Sequence, residues 1–343
     1  MKQLKKIRIQ YPAVIFKLYV VLFLSFLLIP QKPLEAFSPK IKNLKTINIA
    51  FQEWVGYGPL YLAQEKGFFR EEGLDVVFVD EQLDSARRDA FKAGILDCEA
   101  GTIDLLVSKR AQDTPIVAVL ELDRSFGGDG IVAKEEIKSL KDLVGKKVAF
   151  SRDDVNETFI SYLFHKQGLS LNDIIIISRA PEQVAVAFLN GEADAAVTWE
   201  PWLSRTLTMP GAHILISSKD APGIIIDTLN VREDIVKNNP EIVKGLMRGW
   251  FKAVKYYKEH TREATKIISK HFNITPQEYE NNVNNLQWTD YTKQISVENT
   301  KTIEDTFNTI VEIKFKNNRI AKKPNPKVAI NTVLIRKIYE NSK

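Results

Sequence analysis

Cysteine is nearly absent: Cys98 is the single one in 343 residues. An internal disulfide is therefore excluded, and so is any zinc or iron–sulfur site built on several cysteines. Histidine is also scarce. His165, His213, His260 and His271 are scattered without metal-ligand spacing, and none pairs with Cys98 or a serine as a recognisable nucleophilic set. There is no G-x-x-x-x-G-K-[ST] phosphate loop, no G-x-S-x-G and no H-E-x-x-H. No catalytic residue and no resident cofactor or metal is assigned on this basis. Repeats and low-complexity linkers are absent too. Most of the chain also lacks any charge excess. Of 48 Lys and Arg and 43 Asp and Glu, six bases (Lys2, Lys5, Lys6, Arg8, Lys17, Lys32) and one acid (Glu35) fall in residues 1–36, so the rest carries 42 of each. A body without excess charge offers no basic field to a phosphate backbone, which argues against nucleic-acid binding.

The apolar run Leu18–Ile29, broken only by Ser25, falls short of the roughly 20 residues that cross a bilayer as a helix. It follows a basic opening from Lys2 to Arg8, the pattern of an export signal. Residues 1–36 are expected to be removed after Ala36, leaving a soluble exported monomer that begins near Phe37, although Leu34 is larger than the residue usual before such a cut. The alternative is an uncleaved anchor lengthened through Ala13–Phe16. No cysteine follows the run directly, so lipid attachment of the bacterial lipoprotein kind is excluded. Without a disulfide, an exported chain must rest on its core, and a composition that is 44% hydrophobic supplies one.

Strand and helix patterns alternate from residue 46 to about 230. Ile47, Ile49 and Phe51 alternate as in a strand, Pro59 opens a helix, and Gly67 closes it. Strands are expected at Val76–Val79, Ile116–Leu122, Ile131–Ala133, Val148–Phe150, Ile174–Ile177, Ala195–Trp199, Ile214–Ile216 and Ile224–Ile226. Helices are expected at Ala86–Ala93, 157–167 and Pro181–Asn190, and Leu140–Val144, closed by Gly145, leads into the strand Val148–Phe150. Such alternation argues for parallel sheets with helices on both faces. Beyond residue 231 the pattern is helical. Ile242, Leu246, Trp250, Val254 and Tyr257 recur at spacings of three and four, and further helices are expected at 275–286, 296–312 and 327–340. The last 32 residues carry nine bases and two acids, read as a solvated helical face.

In such sheets ligands meet the carboxyl ends of strands and the helix starts that follow. The first such loop, Glu53-Trp54-Val55-Gly56-Tyr57-Gly58-Pro59, offers flexible backbone, flat apolar walls and a helix N-terminus; its ordinary reading is a turn with core aromatics. A second is Glu99-Ala100-Gly101-Thr102. A third, Asp123 to Gly130 with Asp129 near its end, suits a hinge. A fourth, Ser151 to Thr158 with Asn156, is read equally as helix caps. The fifth, Thr198-Trp199-Glu200-Pro201-Trp202, sets a carboxylate between two indoles. Asp227, after Ile226, is the last candidate. Glu200 is expected to be a principal recognition group, the alternative being a cap on the helix beginning at Pro201.

The stretch from Gly56 to Phe69, GYGPLYLAQEKGFF, with Glu72-Gly73-Leu74-Asp75 after it, resembles the opening of solute-binding proteins of nitrate/sulfonate/taurine-type ABC importers, a family that includes thiamine-pyrimidine binders. Similarity continues through Gly94–Asp104, Asp123–Ala133, Leu140–Phe150, Phe188–Trp202 and Asp227 onward. The resemblance implies an α/β, two-lobe periplasmic-binding-protein fold of type II with a helical C-terminal extension. Lobe one would be 43–126 and 222–343, lobe two 127–221, and the C-terminal helices would pack on lobe one. It implies a periplasmic protein that closes on a small-molecule solute and serves a membrane permease with its cytoplasmic ATPase. The rivals are a thiamine-precursor synthesis enzyme of similar fold, whose histidine- and cysteine-rich iron site this chain lacks, and a ligand-sensing receptor domain.

Glu53, Glu99, Asp129, Glu200 and Asp227 outnumber the loop bases Arg124 and Arg152, which disfavours a bare anion. An amine, amidine or aminopyrimidine would pair with the acids and stack on Trp54, Tyr57, Trp199 and Trp202. A zwitterion such as taurine would set its ammonium on the acids and its sulfonate at the Gly56–Leu60 or Asn156–Thr158 helix start. Bound calcium ranks third.

Overall fold

The computed structural model describes residues 44–79, 81 and 84–331. The expected leader and most of the expected helix 327–340 lie outside them; within them the latter begins as one turn, Pro326–Ala329. Among the described residues eleven strands are formed: β1 Lys45–Ala50, β2 Leu74–Val79, β3 Cys98–Thr102, β4 Ile116–Ser125, β5 Asp129–Ala133, β6 Lys147–Phe150, β7 Ile175–Ser178, β8 Ala195–Trp199, β9 His213–Ser217, β10 Ile226–Arg232 and β11 Leu286–Trp288. They make two sheets, of order β11-β4-β10-β3-β1-β2 and β7-β6-β8-β5-β9. The chain passes from the first to the second through Phe126–Gly128 and returns through 218–225.

The sheets are mixed rather than purely parallel. β1 runs parallel to β2 and β3, and β6 parallel to β7 and β8, as helix-bearing crossovers require. β10 is antiparallel to β3 and β4, and β5 to β8 and β9. The reason is the passage between sheets: β4 leaves the first sheet where β10 enters it, so the two point opposite ways, and β5 and β9 do the same in the second. β7 is a half-exposed edge strand rather than the buried one its isoleucines suggest. β3 and β11 carry too few branched residues to announce themselves as strands.

The helix Pro240–Glu259 buries the stripe Ile242, Leu246, Trp250, Val254 and Tyr257 against the first sheet's core and packs on the helix Gly58–Glu65. A second core runs continuously from Ala50 and Ile103 through Ile131, Val148 and Phe159 to Phe307 and Ile310. It therefore joins elements of both sheets, and the C-terminal helix takes part. Val297–Lys316 packs on Ile103–Ala111 beside the first sheet and on Val155–Lys166 beside the second. Among the described residues no helix is long and apolar enough to cross a membrane.

Candidate functional site

A small cavity, open in part to solvent, lies between the carboxyl edges of the two sheets. From the first sheet's side come Gln52, Glu53, Trp54 and Tyr57 after β1, and Ala100, Gly101 and Thr102 at the end of β3. Ile225 and Asp227 come from the return passage and the start of β10. The second sheet contributes Asp129 at the start of β5, Trp199 at the end of β8, and Asp154 and Val155 where a helix follows β6. The walls are aromatic and the polar groups mostly acidic. Among the described lining residues there is no Lys, Arg or His.

The aromatic walls are held by hydrogen bonds. Trp54 Nε1 donates to both carboxylate oxygens of Asp123, at 3.1 and 3.3 Å. Gly56 lies so close to this pair that an added Cβ would fall 2.2 Å from Trp54 Nε1 and 2.4 Å from Asp123 Oδ2. Only glycine fits there. The Tyr57 hydroxyl donates to Asp227 Oδ1; burial and the Asp227 charge raise the phenol well above its usual range, so it stays protonated. Trp199 Nε1 reaches across from β8 to the Glu53 carbonyl at 3.2 Å. Thr102 caps the helix Ile103–Ala111, accepting from Leu105 N at 3.4 Å.

Asp129, Asp154 and Asp227 are 4%, 7% and 3% exposed. Burial pushes Asp129 up to about 8; a hydrogen bond from Ser125 opposes the shift, and the charges of Asp227, Glu200 and Asp154 add to it. Burial likewise pushes Asp154 up to about 7 against its bonds from Ser151 and Asn156. Its Oδ1 accepts from Asn156 N at 2.9 Å, while Oδ2 is buried without a hydrogen-bond partner. Asp227 on β10 is the register partner of Asp123 on β4. Burial raises both, and the Asp227 charge raises Asp123 further. Glu53 is exposed at the rim; burial still lifts its carboxyl, with Arg205 opposing.

Of the candidates read from the sequence, Glu53, Trp54, Tyr57, Gly101, Thr102, Asp129, Trp199 and Asp227 line this cavity. Asn156, Glu200 and Trp202 do not. Glu200 accepts from Ser204 N at 3.1 Å and from Ser204 Oγ at 2.8 Å, so its carboxylate ties down the short helix Trp202–Thr206. These are the hydrogen bonds that the capping alternative for Glu200 calls for. Trp202 stacks on the Arg205 guanidinium at 4.5 Å. Asn156, 1% exposed, caps nothing with its side chain, and its Nδ2 has no partner. Glu99 lies on β3 but is bound by Arg87 Nε at 2.7 Å and by Lys109. Asp154 is the acid that sequence reasoning passed over, because an Asp before a helix reads first as a cap. Cys98 is buried, and among the described residues no cluster of three or more His, Cys, Asp or Glu is placed to hold a metal ion.

The family profile described as NMT1/THI5 like matches residues 54–264, more than half of the chain. The chain belongs to the NMT1/THI5-like family. Within that family's reach, a Bacillus subtilis protein named, provisionally, as an aliphatic sulfonates-binding protein is 28% identical over 309 residues, covering 87% of this chain and 90% of that protein. A Saccharomyces cerevisiae enzyme, 4-amino-5-hydroxymethyl-2-methylpyrimidine phosphate synthase THI13, is 26% identical over 237 residues, 64% of this chain and 67% of the enzyme. The crystal structure of the periplasmic aliphatic sulphonate binding protein SsuA from Escherichia coli superposes with a TM-score of 0.71 at 17% identity, over 85% of this chain and 99% of that one. This NMT1/THI5-like chain thus has the α/β two-sheet fold of the periplasmic binding proteins.

Proposed function

We propose that the protein is the exported solute-binding component of an ABC import system, capturing a small amine-bearing solute between two lobes built on the two sheets. The lobes would pivot at Phe126–Gly128 and at 218–225, the only described stretches that join one sheet to the other. The closed form would then be presented to a membrane permease with its cytoplasmic ATPase. The single observation that carries the reading is the cavity: aromatic on its walls, lined by Asp129, Asp154 and Asp227, with no base among its described lining residues. An anion would be repelled by any of these carboxylates that is ionised, and none of the described lining residues offers it a counter-cation. An ammonium or amidinium would find acceptors, and Trp54, Tyr57 and Trp199 would give it a ring face. A zwitterion would set its anionic end at the Thr102-capped start of Ile103–Ala111. The relatives named for sulfonates are compatible with that second arrangement, whereas the synthase relative lacks support from any cysteine or histidine in this cavity.

Calorimetry with matched pairs tests the reading. Taurine and ethanesulfonate differ by an ammonium, and 4-aminopyrimidine and pyrimidine by an amino group. At least one amine-bearing member should bind at least tenfold more tightly than its partner, since hydrogen bonds to charged groups contribute about 1.5–3 kcal/mol. Equal or better binding of ethanesulfonate and pyrimidine, or tight binding of nitrate, would reject it.

A further inference from the structure

We propose that the solute enters this cavity as a cation, in exchange for protons that Asp129, Asp154 and Asp227 carry while no cation is present. The inference rests on reading the cavity as the solute site, and adds what the cavity does with charge. The three carboxyls come from three elements, β5, the turn before Val155–Lys166, and β10, and all are buried. Their surroundings are acidic. Asp129 faces Asp227, Glu200 and Asp154, Asp227 sits opposite Asp123, and Asp123 is faced by Glu121 as well.

Most of the bases nearby are paired with other acids. Lys314, which faces Asp154, pairs with Asp104 at 3.0 Å. Arg124 holds Glu121 at 2.7 Å, with Lys293 at 3.5 Å. Arg319 holds Glu157 at 2.9 Å, Arg87 and Lys109 hold Glu99, and Arg205 lies over Trp202 beside Glu53. Several buried carboxylates without a counter-cation cannot all be ionised, so protons occupy them.

Asp154 is where an incoming group is expected to bind: the residue lines the cavity, and its Oδ2 is buried with no hydrogen-bond partner among the described residues. A cation placed there favours the ionised carboxylate, and the proton leaves to solvent. One positive charge enters as one leaves, so the cavity's net charge is unchanged. A neutral solute of the same shape gains nothing from this exchange.

Benzamidine, benzamide and benzenesulfonate share a ring and differ in charge, so they serve as probes. Titration calorimetry of benzamidine in buffers of different ionisation enthalpy should give roughly one proton released per molecule bound near pH 7. Affinity should rise roughly tenfold per pH unit below about pH 7 and level off above about pH 8. Benzamide should show neither effect. Asp129→Asn and Asp154→Asn should each lower the proton count and flatten the slope, and the wild-type buffer series stands even if a variant fails to fold. Benzamidine binding without proton release at any pH overturns the exchange but leaves an amine site. Failure of benzamidine to bind overturns the inference, and benzenesulfonate binding in its place overturns the proposed function too.

Discussion

The carboxylates of Glu200 and Asp154 both stand at helix starts on the second sheet's side of the cleft, and each accepts a backbone hydrogen bond. They differ in the second oxygen. That of Glu200 takes the Ser204 hydroxyl, whereas that of Asp154, a residue lining the cavity, is buried with no partner among the described residues. Glu200→Ala should therefore lower stability without ligand by about 1 kcal/mol, as loss of a cap does, and change solute affinity less than twofold. Urea denaturation and calorimetry on the same preparation separate the two; a tenfold loss of affinity with unchanged stability would return Glu200 to the site. Asp129 makes a different prediction. Its carboxyl is raised from the ordinary value near 4 to about 8, so the folded protein holds a proton that the unfolded chain releases. That contribution is complete below about pH 4 and is lost as pH rises through about 8. Stability without ligand should fall between about pH 5 and pH 8, by at most about 1.4 kcal/mol per pH unit for this one group. Asp129→Asn should flatten that fall in a series of thermal melts, and an unchanged slope would remove Asp129 as its source.

Among the elements, the helix Val297–Lys316 has a role its sequence does not state. Its Lys314 pairs with Asp104 on Ile103–Ala111, and Asp104 also receives the Thr158 hydroxyl from Val155–Lys166. Just beyond the helix, Asn317 Nδ2 donates to Ser161 Oγ at 3.0 Å and Arg319 binds Glu157. Three helices from both sides of the cleft thus meet in one polar contact. Burial keeps the Asp104 carboxyl above its usual range even with Lys314 beside it. Lys314→Met should leave that carboxyl buried without its partner and cost about 3–5 kcal/mol, read as a lower urea midpoint. Adding Asp104→Asn should recover most of the loss. Additive losses in the double variant would deny the coupling. Charge counting in the tail suggested a solvated basic face, and Lys316, Lys322 and Lys323 fit it, being partly exposed or exposed. Lys314 is 3% exposed because its turn of helix faces inward, which a count of charges cannot register.

For the whole molecule, closure is the event to measure. Ser125 Oγ, where the chain leaves the first sheet, and Ser218 Oγ, where it leaves the second, meet at 2.8 Å, and Gly127, at φ 110°, donates its N–H to Ser218 Oγ at 2.6 Å. The cleft is spanned by Trp199 to Glu53 and by Thr158 to Asp104. Small-angle scattering should give a smaller radius of gyration with saturating benzamidine than without it; an identical radius in both states would reject hinge motion. Much of this architecture was legible beforehand. Apolar patterning marked β1, β6 and β8, the Pro59 and Pro181 starts and Gly67 and Gly191 stops marked helices, and the loops after β1 and β6 contain six of the fourteen residues that line the cavity. These features are local, fixed by backbone preference and by which side chains must leave water. Three things were decided by tertiary structure alone: the antiparallel course of β10 and β5, the bridging by Val297–Lys316, and the partners that the Asp154 and Glu200 carboxylates meet. Each depends on where a side chain's partner lies across the fold. Sequence shows a carboxylate and its neighbours in the chain, but its charge state and its role follow from groups many residues away, brought within hydrogen-bond distance only by folding.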